Sequence, residues 1–254
     1  MPLEILQKGS PHGAVYVFFH AISGGVSCYQ ALIGSLGPKI NAFGLTATGR
    51  NSDDIPVDSI VEQVDQHMAH LSTLELASSG ICLVGWCMGG LLAQHIAARL
   101  ERKGVTCRLV LIDTNLVLET CPSRAPELER LYWHSLSEIV TGSTATAQRE
   151  NFWTLSDSEK RNEISAAALS FRKPTLSNLL RVFDANWRAT QTFSPLHFHG
   201  PSLFFEAEDT PYAEAAARWS GYCHSLQIAR VTGATHRSVI EDPFVRQITD
   251  SLTH

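Results

Sequence analysis

Apolar positions along this chain fall into two patterns, short runs with almost no polar interruption and longer stretches at helical spacing. AVYVFF (Ala14 to Phe19), ICLVGW (Ile81 to Trp86) and RLVLID (Arg108 to Asp113) belong to the first, which is how strands buried on both faces read. Ile60, Val61, Val64, Met68 and Leu71 belong to the second and predict an amphipathic helix from Ile60 to Leu74. GGLLAQHIAARLERKG (Gly89 to Gly104) predicts another helix, closing on basic residues and a glycine. Strand, helix and strand in succession predict a mostly parallel central sheet flanked by helices.

After Asp113 the pattern changes for roughly 80 residues. APELERLYWHSLSEIV and TLSNLLRVFDANW are polar helix formers with no strand-like run between them, so this stretch is expected to be a helical insertion. Strand signals return in SLFFEA (Ser202 to Ala207) and SLQIARV (Ser225 to Val231), with a helix from Tyr212 to Tyr222 between them. A loop, GATH, and a last helix beyond Pro243 complete the chain. The expected organisation is one domain over 1–254, its α/β core drawn from about 1–114 and 197–254 and a helical lid from about 115–196.

Composition narrows the function classes. With 44% hydrophobic and 18% charged residues, and no apolar run of the roughly 18 residues that a membrane helix needs, the chain reads as a soluble globule. MPLEILQKGSPHG lacks the basic and apolar regions of a secretory signal, so a cytoplasmic location is expected. A net charge of -5 without a Lys/Arg block gives no field for nucleic acid. Cys28, Cys82, Cys87, Cys107, Cys121 and Cys223 form no C-x-x-C pair and no zinc spacing, so five are expected to be buried, reduced thiols and no metal is expected.

Cys87 is the exception. GWCMGG (Gly85 to Gly90) lies between a strand and a helix and has the form of the nucleophile elbow G-x-S-x-G, with cysteine in the serine position. The sharp turn lifts that side chain off the sheet, and the following helix aims its N-terminal N–H groups at it, favouring a thiolate or a nearby oxyanion. A nucleophile needs a base and an acid to orient it, which α/β-hydrolases supply in the order nucleophile, acid, histidine. The base candidate is His236, in VTGATHRSVI after the last strand; His20 is its rival, and His95 reads as a helix residue. Two strand-end acids compete, Asp113 and Asp209, the latter with Glu208 beside it; Asp113 is preferred because it follows LVLI directly, and Asp209 is alternatively a helix N-cap. The oxyanion donors expected from this arrangement are the backbone N–H of Met88 and, within HAISGG, that of Ile22.

VFFHAISGGVSCYQAL, GWCMGGLLAQHIA, LVLIDT, LFFEAEDT and VTGATHRSV, in that order, resemble the thioesterase domains that end nonribosomal peptide and polyketide synthetases. The resemblance covers nearly the whole chain outside the insertion. It implies an α/β-hydrolase fold, a Cys87–His236–Asp113 triad, a carrier protein with its phosphopantetheine arm as partner, and no dissociable cofactor. Two departures stand out: Ala21 follows the first histidine where the family has proline, and Cys87 replaces serine. The minority of such domains that carry cysteine include ones that close β-lactone and β-lactam rings. The alternatives are a stand-alone hydrolytic editing thioesterase, a dienelactone-hydrolase-like cysteine hydrolase, and a non-catalytic carrier-binding module. In the insertion, Arg124, Arg130, Arg149, Arg172, Lys173, Arg181 and Arg188 alternate with Trp133, Trp153, Phe171 and Trp187, and are expected to form solvated outer faces with aromatics packed inward.

Overall fold

The computed structural model describes residues 3–72, 74, 80–116, 125–168, 173–212 and 214–253. Seven strands form one sheet in the order β1-β3-β2-β4-β5-β6-β7. They are β1 (Leu3–Gln7), β2 (Val15–Phe19), β3 (Asn41–Leu45), β4 (Ile81–Trp86), β5 (Cys107–Ile112), β6 (Phe198–Asp209) and β7 (Cys223–Thr235). β1 is antiparallel to β3; every other neighbouring pair is parallel.

The apolar runs become central strands because each of their faces meets helices. Val15, Val17 and Phe19 of β2 share one core with Ile81, Leu83, Leu109 and Leu111, while Tyr16 and Phe18 share the other with Val84, Val110 and Ile112. The period-2 alternation of a strand thus divides a continuous apolar run between two cores. Helices α2 (Ile60–Leu71) and α3 (Met88–Arg102) cover the first face, and α1 (Gln30–Leu36) and α8 (Val245–Thr253) the second. α3 is buried along almost its entire length, which suits a central crossover helix pressed against the strands.

Between β5 and β6 lie α4 (Ala125–Thr141), α5 (Asp157–Ala166) and α6 (Lys173–Gln191), the helical insertion read from the sequence. They have a core of their own around Trp133, Leu136, Phe152, Ile164, Leu179 and Phe183. Ile22 packs against both this core and the sheet core, so the loop after β2 is where the two meet.

Some boundaries differ from expectation. β1, β3, α1 and α5 had no sequence assignment, and β6 and β7 run past both ends of SLFFEA and SLQIARV. The helix expected over Tyr212 to Tyr222 is shorter, α7 (Ala215–Ser220). β5 ends at Ile112; Asp113, at φ +41°, has already left strand geometry, although its N–H still donates to Phe205 O at 2.8 Å.

Candidate active site

Cys87 sits at φ +56°, ψ -127°, a conformation that L-residues avoid, between the end of β4 and the first turn of α3. The surrounding glycines make this turn sterically feasible. A Cβ on Gly85 would lie 2.2 Å from the Gly89 carbonyl carbon, one on Gly89 2.5 Å from Phe19 O, and one on Gly90 2.0 Å from Thr114 Oγ1. The bend is held from the neighbouring strands: Cys87 N–H donates to Ile112 O at 3.1 Å. Tyr29, fully buried, donates from its hydroxyl to Phe19 O at 2.6 Å and accepts from Trp86 N–H at 2.8 Å, tying the ends of β2 and β4 together.

His236, after β7, places Nδ1 2.7 Å from Asp113 Oδ2. Asp113 is 1% exposed, and its carboxylate also accepts from Ala207 N–H at 3.2 Å on Oδ1 and from the Thr210 hydroxyl at 3.0 Å on Oδ2. Since the carboxylate accepts, Nδ1 carries the proton and Nε2 is the ring nitrogen left free, in a cavity that Cys87 also lines. Trp86 stacks on the imidazole at 5.2 Å and donates from Nε1 to His236 O at 2.9 Å, and Tyr212 meets it edge-on at 4.8 Å. Burial opposes charge on His236, but the charge of Cys87 and the hydrogen bonds to Asp113 and Cys87, with the Asp113 charge, outweigh it and hold the ring up at about 10. The proton is therefore at home on His236 whenever a negative sulfur stands beside it.

The competing residues lie elsewhere. His20 is fully buried, its Nδ1 3.0 Å from Ala21 O, and burial pushes it down to about 4. His95 is buried in α3. Among the described residues Asp209 caps no helix: the Thr210 hydroxyl accepts from Tyr212 N–H at 3.2 Å, and Glu214 precedes α7 without a side-chain cap. Glu208 instead accepts from Gly233 N–H at 2.7 Å.

Ile22 and Met88, the two expected oxyanion donors, both border the small cavity of about 60 Å³ beside Cys87, with Leu91 and Trp187 across from them. A larger one of about 380 Å³ adjoins it, sharing Ile22, Cys87, Trp187 and Tyr212 and reaching His236, Ser23, Trp86 and Ile139. Among the residues that reach this cavity without having been read as site residues in the sequence are Cys28, Glu138 and Arg237. Arg237 lies 3.5 Å from Glu138 of α4 and 3.7 Å from Glu241, so it links the insertion to the segment that follows His236. Its position beside His236 was the available signal; for Cys28 and Glu138 there was none. Cys28 and Cys82 are half-buried rather than fully buried as expected, and burial pushes the thiols of Cys28, Cys82, Cys107 and Cys223 up to about 12. Cys121 lies outside the described residues.

Four of the insertion's basic residues have partners outside these two cavities. Arg130 lies over the Trp153 ring at 5.7 Å, Arg149 pairs with Glu163 at 3.4 Å, Arg188 pairs with Asp58 at 3.1 Å, and Arg181 donates to Asp54 O at 2.7 Å. Trp133 is buried in the insertion's core, and Trp187 borders both cavities. Lys173 begins α6; Arg124, Phe171 and Arg172 lie outside the described residues. Among the described residues no group of three or more His, Cys, Asp or Glu is arranged to hold a metal ion, and no helix is long and apolar enough to cross a membrane.

Comparison with known proteins adds a family. The thioesterase domain profile matches residues 16–252. Of solved structures, the Vlm2 thioesterase domain carrying genetically encoded 2,3-diaminopropionic acid and bound with a dodecadepsipeptide aligns with a TM-score of 0.73 and 18% identity, over 99% of this chain and 96% of that one. The type II thioesterase BorB of the borrelidin biosynthetic cluster aligns with a TM-score of 0.69 and 17% identity, over 99% and 96%. Holo-AB3403, a four-domain nonribosomal peptide synthetase bound to AMP and glycine, aligns with a TM-score of 0.80 and 20% identity over 98% of this chain, which spans only 20% of that protein. At such identities the structural likeness speaks for the fold.

Proposed function

The chain belongs to the thioesterase domain family, with an α/β-hydrolase fold, and from that membership we propose that it releases an acyl or peptidyl chain from a carrier protein through an acyl-enzyme on Cys87. The observation that carries this reading is the cysteine on the strained elbow beside an imidazole bonded at 2.7 Å to a buried carboxylate. Sγ of Cys87 attacks the thioester carbonyl, its proton having passed to Nε2 of His236, while the N–H groups of Met88 and Ile22 hold the oxyanion. The tetrahedral intermediate collapses, the carbon–sulfur bond to the phosphopantetheine arm breaks, and His236 returns the proton to the departing thiol. A hydroxyl or amine within the acyl chain, deprotonated by His236, then attacks the same carbonyl and closes a ring as Cys87 leaves with the proton.

Cysteine gives this second step its driving force. Transfer from a carrier thioester to serine yields an oxoester, a poorer acyl donor, whereas transfer to Cys87 keeps a thioester and a good leaving group. A weak or poorly placed internal nucleophile, as in β-lactone or β-lactam closure, gains most from that. Water must then be kept from the acyl group, and the α4–α6 insertion over the cavity supports such exclusion. The insertion also argues against the compact dienelactone-hydrolase-like arrangement.

The reading is tested by product analysis with β-hydroxyacyl and β-aminoacyl thioesters of a carrier protein or its pantetheine mimic. Wild-type protein is expected to release the acid minus one water, and Cys87→Ala and His236→Ala to release nothing above background. Free acid from every such substrate would replace ring closure by hydrolytic editing. Binding of the carrier without any turnover would leave a non-catalytic carrier-binding module.

A further inference from the structure

Ile22 is pinned on both of its peptide bonds. The preceding carbonyl, Ala21 O, accepts from Gly24 N–H at 2.9 Å and from Nδ1 of His20 at 3.0 Å. The following one, Ile22 O, accepts from Nδ2 of Asn186 at 3.0 Å. Asn186 belongs to α6, in the insertion, and is 1% exposed. Its orientation is fixed by the chemistry around it: a carbonyl can only accept, so Nδ2 must face Ile22 O and Oδ1 must face the other way. There it accepts from Nε2 of Gln63 in α2 at 3.0 Å, and Gln63 also donates to Val57 O at 2.7 Å. One turn before Asn186, Val182 meets the same loop, where a Cβ on Gly24 would lie 2.4 Å from Val182 Cγ1. Arg188 and Arg181 tie the exposed side of α6 to Asp58 and Asp54.

We propose that Asn186, oriented by Gln63, is a positioning residue that sets the Ile22 N–H toward the oxyanion, making helix α6 of the insertion a part of the oxyanion hole. The proposal rests on the thioesterase reading above. Because the Asn186 amide is buried and Ile22 half-buried, losing the Nδ2 donor leaves a carbonyl that turns to find a new partner, taking Ile22 with it. A misplacement of about 1 Å in such a donor can cost up to 10²-fold in rate.

The test is kinetic, on the full chain. Asn186→Asp keeps the shape and loses the donor; its kcat on an acyl-pantetheine thioester should fall about 10- to 100-fold with KM changed less than about 3-fold. Affinity for a trifluoromethyl ketone analogue, which forms the tetrahedral adduct, should fall in parallel, while binding of the unreactive amide analogue stays constant. A merely structural role would not separate these two ligands. The chloroacetamide of aminopantetheine, whose amide carbonyl resists attack, alkylates Cys87 at its α-carbon with loss of chloride and without forming an oxyanion, so its rate should match wild type. Gln63→Leu leaves Asn186 in place but unoriented and should show the same pattern at smaller amplitude, which covers the case of an unfolded Asn186 variant. Wild-type kcat and ketone affinity in either folded variant would overturn the proposal. Wild-type protein that is alkylated at Cys87 yet turns over no thioester would instead overturn the thioesterase reading.

Discussion

His236 is held by three different kinds of contact: a carboxylate at Nδ1, an indole stacked on its face, and a phenol ring edge-on. Its raised affinity for a proton has a definite consequence. The folded pKa lies above the unfolded one, so the associated stability is fully present below about 6.5 and is lost as pH rises through about 10. The ring protons of His236 should accordingly keep their protonated NMR shifts well past pH 8. In Cys87→Ala the midpoint should drop, because the largest favourable cause is gone; a midpoint unchanged by that substitution would mean that Asp113 alone sets it. Cys87, His236 and Asp113 were legible in the sequence because each stands next to an unmistakable strand run at the carboxyl edge of a parallel sheet. The contacts of Asn186, Arg237 and Cys28 were not, since they depend on what the fold brings to them: the Ile22 carbonyl, Glu138, and the cavity that Cys87 also lines.

The strand β4, the elbow and α3 act as one element whose spacing is set by missing side chains. Gly85→Ala would drive a Cβ to 2.2 Å from backbone atoms of Gly89, which cannot rotate away. Urea unfolding of Gly85→Ala should show a loss of about 3 kcal/mol or more, the upper range for overpacking. Gly34→Ala in α1, where nothing lies within 4 Å, serves as the control and should gain about 0.5–1 kcal/mol. Equal stability of the two variants would contradict the packing account. Among the elements, the buried strands and long amphipathic helices were legible because apolar runs and helical spacing report burial directly. β1 and β3 escaped notice because LEILQ and NAFGL are short and interrupted by polar residues or glycine, as their position at the sheet margin allows. α5 has few apolar positions, yet it announces itself by a capping box, Ser156 accepting from Glu159 N–H and Glu159 accepting from Ser156 N–H, which pattern reading by hydrophobicity overlooks.

At the scale of the whole molecule, three buried histidines outside the site set the acid limit. Burial lowers His20 and His95 to about 4 and His67 further, so each stays neutral in the fold while its unfolded counterpart gains a proton below about 6.5. Their contribution to stability is therefore fully present above that value and is lost as pH falls from 6.5 through 4. His67 has no hydrogen-bond partner on either ring nitrogen among the described residues, so His67→Leu should flatten the acid limb and leave stability at pH 7 equal or higher. A steeper limb in that variant would show that the ring is satisfied by something else. The insertion, with its own aromatic core and with Ile22 shared between it and the sheet, supports the view of a covered site in which an acyl group is held away from water. That view depends on the acyl group being on sulfur. The most direct measurement is intact-protein mass spectrometry after mixing with an acyl-pantetheine thioester, followed by neutral hydroxylamine, which cleaves thioesters and spares oxoesters. The account predicts one acyl mass on the wild type, mapped to the Cys87 peptide, removed by hydroxylamine and absent from Cys87→Ala. An adduct that survives hydroxylamine, or that persists in Cys87→Ala, would contradict it.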